Sequence, residues 1–135
     1  MAVFDTLAIS GSGMTLNRKW MDAVSDNIAN MNTVAGPDSE AFKERFVVAQ
    51  AVDYGSGSGG VRVAGAAFGT GEGRLTYSPD HPLADDQGYV RLPDIDLGTQ
   101  MTNMLMAQRA YQANVSAISR ATDAYSAALQ LGRNL

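Results

Sequence analysis

The 135-residue sequence predicts a mainly α protein with a small β insert, in which the N- and C-terminal helices form an antiparallel coiled-coil pair. Apolar residues recur every seven positions near both ends, as in coiled-coil helices. Most of the glycines and prolines lie between these ends, among short runs rich in β-branched and aromatic residues. We therefore predict an N-terminal helix within residues 1–36, a small antiparallel β region within 37–93 and a long C-terminal helix within 94–135.

The N-terminal helix is predicted over residues 3–31. One apolar row consists of Leu7, Met14, Met21 and Ile28. The interleaved row is less regular, because polar residues interrupt it; it comprises Val3, Ser10, Asn17, Val24 and Met31. Gly36-Pro37 ends the segment, because glycine adopts the left-handed cap and proline cannot continue a helix. Gly11 and Gly13 lie inside the helix, where each costs about 1 kcal/mol relative to alanine, and they indicate a kink, a close backbone approach or a weak point.

The insert is predicted to form strands at residues 46–52, 61–64, 74–77 and 89–92. These strands are short and offer little apolar core. The segment Gly55-Ser-Gly-Ser-Gly-Gly60 reads as a flexible connector between the first two of them. We expect one small antiparallel sheet that depends on contacts with the helices.

The C-terminal helix is predicted over residues 95–131, with Asp94 or Asp96 as its N-cap. At 1.5 Å per residue it is about 50 Å long, which no small globular core can cover. Its coiled-coil face is predicted to consist of two heptad rows. The first contains Met101, Val115 and Leu129, and the second contains Met104, Tyr111, Ile118 and Tyr125.

Small residues follow the same helix at spacings of three and four, and the sequence places them on the opposite face. They are Ala110, Ala113, Ala117, Ala121, Ala124 and Ala128. Between Leu97 and Leu131 the charged side chains are Arg109, Arg120 and Asp123, whereas a solvated helix face normally carries many charges. We expect packing on both sides of this helix. The alternative is that alanine, the best helix former, simply faces water here.

The composition argues against several classes of protein. The net charge is -4, and the basic residues are scattered, so a nucleic-acid partner is not expected. There is no cysteine for a disulfide, a thiolate metal site or a cysteine nucleophile. No apolar run is long enough to insert into a membrane. The first residues lack the basic start of a cleaved secretory signal.

No catalytic, cofactor or metal site is predicted. His81, the only histidine, has Asp80, Asp85 and Asp86 close by, but this group lacks a defined ligand spacing. We expect Pro79 and Pro82 to fix an extended turn there, with the polar groups either satisfying its backbone or contacting a neighbour. The glycine-rich segments lack the Lys-Ser/Thr of a phosphate loop, and no serine lies in a nucleophile context.

Asparagines cluster where the first helix ends, at Asn27, Asn30 and Asn32. Asparagine tolerates cap conformations, so the cluster can be read as a helix end. Alternatively, Asn27 and Asn30 form hydrogen bonds across a subunit interface and fix its register, as buried asparagines do in coiled coils. The sequence leaves both interpretations open.

Three motifs resemble the flagellar axial proteins of bacteria, the family of rod and hook subunits. Residues 23–33, Ala-Val-Ser-Asp-Asn-Ile-Ala-Asn-Met-Asn-Thr, resemble its N-terminal signature, and residues 107–114, Ala-Gln-Arg-Ala-Tyr-Gln-Ala-Asn, its C-terminal helix. Residues 77–93, Tyr-Ser-Pro-Asp-His-Pro-Leu-Ala-Asp-Asp-Gln-Gly-Tyr-Val-Arg-Leu-Pro, are similar to the block that marks the proximal rod branch. Asp94-Ile95 stands where that branch usually has Asn-Val, and residues 39–70 match poorly.

The resemblance implies a structural subunit of the basal-body proximal rod, which transmits torque and encloses the export channel. It implies export by the type III apparatus without a cleaved signal peptide and a place in the rod within the periplasm. The implied partners are other rod proteins, copies of the chain itself, and proteins at the junction of the membrane ring and export gate. The terminal helices would line the channel.

The predicted subunit-interface residues are Leu7, Met14, Met21, Asn27, Ile28, Asn30, Met101, Met104, Tyr111, Ala113, Asn114, Ala117, Ile118, Ala121 and Tyr125. Three alternatives are weighed against a proximal rod subunit. One is another axial subunit of the distal rod or hook, and a second is a free-standing coiled-coil adaptor. The third, a peptidoglycan-acting enzyme, requires a catalytic carboxylate in a cleft, which the sequence does not indicate.

Overall fold

The computed structural model describes residues 2–55 and 58–133. In chain order the elements are α1 (Ala2–Asn30), β1 (Arg45–Gly55), β2 (Ser58–Phe68), β3 (Arg74–Tyr77), β4 (Tyr89–Leu92) and α2 (Leu97–Arg133). Strand β1 pairs antiparallel with β2, and β3 pairs antiparallel with β4. The prediction of a mainly helical protein with a small antiparallel β insert is confirmed. The single sheet is wrong, because the strands form two separate two-stranded sheets.

The two helices lie side by side in antiparallel orientation, as three contacts along their length establish. The Asn27 side chain is hydrogen-bonded to Gln100 over 3.1 Å at one end. In the middle, Gly13 lies against the side chain of Asn114. At the other end the rings of Phe4 and Tyr125 meet edge to face, with centroids 5.8 Å apart. Supercoiling of the pair stays a prediction.

The α1 face agrees with the predicted heptad, since the residues of both its rows are buried or half-buried. Ser10 and Asn17, which interrupt the second row, are themselves buried. On α2 only the row of Met104, Tyr111 and Ile118 turns inward as predicted, with Tyr125 at its more exposed end.

The other predicted α2 row is wrong, because Met101, Val115 and Leu129 are exposed. The covered residues that alternate with the Met104 row are Gln100, Ala107, Asn114 and Ala121. They also recur every seven residues, but they are small or polar. Asn114 of this row lies against Gly13 of α1, and because glycine has no side chain the helices approach closely at this point.

The alanine stripe of α2 does not lie opposite the helix contact, contrary to the prediction. Ala110, Ala117 and Ala121 are half-buried, whereas Ala113, Ala124 and Ala128 are exposed. The stripe therefore borders the contact with α1. The reason is that α2 contacts α1 through its row of small and polar residues, and this contact covers one edge of the stripe.

Strands β1 and β2 form a hairpin that extends along α1. At one end Arg45 is bonded to Asn27, and at the other the Val61 amide donates to the Ser12 hydroxyl over 3.1 Å. Each strand has 11 residues, so both are longer than predicted. The connector predicted at residues 55–60 is wrong for Gly59 and Gly60, which belong to β2; residues 56 and 57 lie outside the described residues.

The hairpin of β3 and β4 has the predicted bounds and is tied to the segment that follows α1. Ala35 and Arg91 exchange two backbone hydrogen bonds of 2.8 Å. The Arg91 guanidinium also donates to the carbonyls of Pro37 and Glu72. One arginine thus closes the loop between α1 and β1 against the second hairpin.

Both helices have side-chain caps. Asp96 accepts hydrogen bonds of 2.7 Å from the Thr99 amide and hydroxyl, which confirms it as one of the two predicted N-caps of α2. At the end of α1, the Asn30 side chain donates to the Asp26 carbonyl and accepts from the Thr33 hydroxyl. Neither described helix is long and apolar enough to cross a membrane.

The two glycines of α1 differ in their surroundings, and their substitution by alanine should differ accordingly. A β carbon at Gly11 meets nothing within 4 Å, whereas one at Gly13 lies 2.9 Å from the Asn114 amide nitrogen. Gly11→Ala is expected to raise the free energy of unfolding by about 0.5–1 kcal/mol. Gly13→Ala should gain less or lose stability. Urea unfolding followed by circular dichroism measures both, and equal stabilisation would contradict the close contact.

The N-cap of α2 should weaken in acid. Hydrogen bonds from the Thr99 hydroxyl and amide, together with one from the Gly98 amide, hold the pKa of Asp96 below its ordinary value of 3.8. A lowered pKa contributes stability above pH 3.8, and this is lost as the pH falls through the folded-state value. In Asp96→Asn the cap persists without a titrating group. NMR of the Gly98 to Gln100 amides should show acid-induced loss of order in the parent chain only.

Candidate subunit interface

A buried polar network joins α1, β1 and α2 at one end of the helix pair. Asn27 and Gln100 are each 1% exposed. The Asn27 amide nitrogen donates to Gln100 Oε1 over 3.1 Å and to the Arg45 carbonyl over 3.0 Å. Its oxygen accepts from the Arg45 backbone amide over 2.8 Å. One side chain therefore pairs with both backbone groups of the first residue of β1 and with α2.

Neighbouring charges extend the network. Gln100 donates to a Glu44 carboxylate oxygen over 2.5 Å, and the Arg45 guanidinium reaches Asp26 over 2.6 Å. The same guanidinium lies 5.2 Å from the centroid of the Phe42 ring, a cation–π distance. Arg45 and Asp26 remain about half exposed, so this ion pair contributes little by itself. The buried amides, which have no access to water, carry most of the constraint.

The network shows which contacts Asn27 and Asn30 make within one chain. Asn30 acts within the helix end, through Asp26 and Thr33. Asn27 uses both amide hydrogens and its oxygen inside the chain. It therefore fixes register between elements of one chain. A subunit contact by either residue stays a prediction.

The outward face of α2 presents large apolar side chains among polar ones, and few of its residues are charged. Its first half presents Leu97, Met101, Leu105 and Met106, each about half exposed. The charged residues of the helix are only Arg109, Arg120, Asp123 and Arg133. Beyond the contacts of its first turns with Glu44 and the β1 region, α2 packs against α1 alone among the described elements. Such a face is typical of a helix that is covered in an assembly.

The predicted interface residues fall into two groups. The larger group is turned towards the helix contact or buried near it, and comprises Leu7, Met14, Met21, Asn27, Ile28, Met104, Tyr111, Asn114, Ala117, Ile118 and Ala121, with Asn30 at the helix end. The exposed group is Met101, Ala113 and Tyr125, and only these side chains are largely available to a neighbour. A residue of the larger group would contact another subunit only through the part of its side chain that stays exposed beside the helix contact.

Sequence reasoning missed the exposed Leu105 and Met106 and the buried Gln100 and Ala107. The exposed pair was missed because it lies outside both predicted rows. Gln100 and Ala107 were missed because heptads were sought through large apolar side chains. The signal that finds them is the repeat of small or polar residues seven apart.

The loop that joins β3 to β4 is fixed by its own hydrogen bonds. His81 Nδ1 accepts from the Leu83 amide over 3.1 Å, and Asp85 Oδ1 accepts from the amides of Gln87 and Tyr89. The Tyr77 and Tyr89 rings pack edge to face, with centroids 5.4 Å apart. His81 and Asp85 thus satisfy the loop backbone, which is one of the two predicted roles of these polar groups. Within residues 2–55 and 58–133, no three His, Cys, Asp or Glu residues are grouped to hold a metal ion.

Two family models match the chain at its two ends. Residues 7–37 match the family described as flagella basal body rod protein. Residues 86–131 match the C-terminal family of the flagellar basal body rod FlgEFG proteins. The matched segments contain most of α1 and nearly all of α2, which are the elements of the candidate interface.

Full-length relatives are similar over the whole chain. The flagellar basal-body rod protein FlgC of Salmonella typhimurium is 35% identical over 135 residues, which cover 98% of this chain and 100% of the relative. FlgC of Escherichia coli O6:H1 is 34% identical with the same coverage. FlgC of Aquifex aeolicus is 37% identical over 120 residues, covering 88% of this chain and 89% of the relative.

The buried amide network should contribute measurably to stability. Asn27→Ala removes the partner of three polar groups and is expected to cost about 1–3 kcal/mol of unfolding free energy. Gln108→Ala, an exposed amide on α2, is the matched control and should change stability by less than about 0.5 kcal/mol. Because Asn27 and Gln100 share a hydrogen bond, Asn27→Ala and Gln100→Ala together should cost less than their sum. Strict additivity in urea unfolding would contradict the network.

Proposed function

The chain belongs to the FlgC family of flagellar basal-body rod proteins, and we propose from this premise that it assembles through its terminal helices into the proximal rod. The family identified from the block at residues 77–93 is confirmed. Its members are structural and not enzymatic, so the function is sought in contacts between subunits. The position in the proximal rod and the use of the terminal helices are the proposal.

The observation that carries the proposal is the small apolar core beside a long exposed helix face. The well-covered apolar side chains in the described part of the chain are Val24, Ala41, Val90, Pro93 and Ala107. In contrast, α2 leaves leucine and methionine side chains about half exposed or more in its first ten residues, and again near its end at Leu129 and Leu131. Burial of this face against neighbouring helices would supply the apolar contacts that the isolated chain lacks.

The same geometry supports the proposal that the chain transmits torque. A polymer of helices that interdigitate along their length resists shear through many apolar contacts, because close-packed side chains deform little. The Asn27 network and the pairing of β1 with β2 hold β1 against the helix pair. We propose that the terminal helices form the inner, channel-lining layer and that residues 37–93 lie outside it.

The proposed location is the rod within the periplasm, reached through the flagellar type III apparatus without cleavage of a signal peptide. The proposed partners are other rod proteins, further copies of the chain, and proteins where the rod meets the membrane ring and export gate. This proposal draws on membership of the flagellar rod family. Flagellar basal bodies purified from the host should contain the chain with its N-terminal segment intact.

The outward face of α2 is tested by one substitution at two matched sites. Leu105, in α2, is 53% exposed, and Leu75, in β3, is 56% exposed. Leu105→Glu should leave the purified chain folded but abolish swimming of a host strain that lacks its own copy, because a carboxylate would be buried unpaired between subunits. Leu75→Glu introduces the same charge away from the helices and should leave swimming near the parental level.

A second pair of variants separates assembly from folding. Ala117→Glu and Ile118→Asp place a charge in the half-buried helix contact and should also prevent rod assembly. Unlike Leu105→Glu, they should lower the helix content of the purified chain, as circular dichroism can measure. Normal swimming of the Leu105→Glu and Ile118→Asp strains would refute assembly through the terminal helices.

A further inference from the structure

The loop between β3 and β4 holds its shape without help from the helices. The Ser78 amide donates to the Gly88 carbonyl over 2.8 Å, and the Asp85 amide donates to the Tyr89 carbonyl over 3.0 Å. Gly88 has φ +80°, and a β carbon there would lie 2.9 Å from the Tyr77 ring. A preformed loop loses little conformational freedom on binding, so it is suited to recognition.

The surface of this loop is apolar at its tip and anionic around it. Leu83 is 49% exposed and Tyr77 is 64% exposed. Asp80 and Asp86 are exposed and form no hydrogen bond or ion pair with the described residues. No lysine or arginine occurs between Leu75 and Val90. The loop therefore fits a partner surface with an apolar floor and cationic sides.

A groove of this kind lies on the helix pair of the same chain. It has a volume of about 390 Å³ and is lined by Gly11, Met14, Thr15, Arg18, Lys19 and Tyr111. Arg18 has no ion pair or hydrogen bond with the described residues. Lys19 has only an exposed pair with Asp22 at 3.9 Å. Two cations thus stand beside an apolar floor, and neither is committed to a strong internal contact.

Gly11 supplies an independent observation. Glycine is destabilising inside a helix, so each glycine of α1 calls for an explanation. The close contact with α2 explains why Gly13 has no side chain. It does not explain Gly11, where a β carbon would meet nothing within 4 Å. Because glycine has no side chain, the groove is deeper at this position than it would be with any other residue. The lack of a side chain at Gly11 is explained if a group from another molecule approaches the backbone of α1 here.

We propose that the loop at residues 77–89 docks, in the assembled rod, into the groove beside Gly11 of a second copy of this chain. Leu83 enters the groove, and Asp80 and Asp86 face Arg18 and Lys19 of the neighbouring copy. The contact is small, so it operates within the polymer, where many weak contacts act together. It rests on the proposed function, because it requires copies to lie side by side in a rod.

The first test uses the absence of cysteine from the chain. Two versions are co-expressed in the host lacking its own copy, one with Leu83→Cys and one with Thr15→Cys. Mild oxidation of intact cells should produce a disulfide-linked dimer that contains both versions. The control combines Tyr54→Cys, on the other hairpin and more exposed at 76% than Leu83 at 49%, with Thr15→Cys and should nevertheless give at least tenfold less dimer.

The outcomes separate this docking from rod function itself. A swimming strain that yields no Leu83–Thr15 dimer, or in which the Leu83→Cys chain is linked instead to a different protein, overturns docking between copies and leaves the rod function intact. If the parental chain fails to restore swimming or to enter basal bodies, the proposed function is wrong.

Charge reversal provides a second, independent measurement. Arg18→Glu and Asp86→Lys should each reduce the swimming rate at least several-fold, and the double variant should recover most of the loss, because it restores an opposite pair between copies. Gly11→Leu should fill the groove and reduce swimming while the purified chain stays folded. Ala29→Leu adds the same bulk at an exposed position of α1 and should swim normally. No recovery in the double variant, or normal swimming of Gly11→Leu, would overturn the proposal.

Discussion

The structure depends on one buried asparagine of α1, whose side chain is hydrogen-bonded both to the backbone of strand β1 and to helix α2. Asn27 is hydrogen-bonded to both backbone groups of Arg45 and to Gln100, which in turn is bonded to Glu44. The Asn27 and Gln100 side chains are shielded from water, so a shift in helix register would leave at least one buried amide unpaired. The antiparallel alignment of α1 and α2 and the starting point of the β1–β2 hairpin therefore share a single geometric constraint.

A chain with few covered apolar residues needs such a constraint. Van der Waals contact between small side chains brings α1 and α2 close together, but Ser10, Gly13, Asn17 and Ala107 provide little apolar surface that could select one register over another. Buried amides discriminate strongly, because a mismatch costs the desolvation of the unpaired group. Polar specificity at one end and small-residue packing along the rest therefore have complementary roles, and the larger apolar side chains of α2 remain free to face outward.

The sequence predicted the helices, the bounds of β3 and β4, the Asp96 cap and the family, because each has a local signal. Heptad spacing also identified both α1 rows and the Met104 row of α2. It failed at Met101, Val115 and Leu129, because hydrophobicity alone does not show which row faces the partner when the contact is built from small residues. Glycines at residues 55–60 suggested a connector, yet Gly59 and Gly60 pair with β1, since strand pairing supplies backbone hydrogen bonds regardless of propensity. The Asn27–Gln100 bond joins residues 73 positions apart, and no local pattern reveals it.

The hydrogen bonds of the β3–β4 loop join residues at most ten positions apart, from Ser78 to Gly88 and from Asp85 to Tyr89. The helix pair, in contrast, closes only when residues more than seventy positions apart meet. Short-range contacts form on the microsecond scale, whereas distant ones first require closure of a long loop. An unfolded chain should therefore regain this loop early, while its helices are still apart. The β3–β4 loop would then be present as a binding surface before the helix pair, and with it the rest of the fold, is stable.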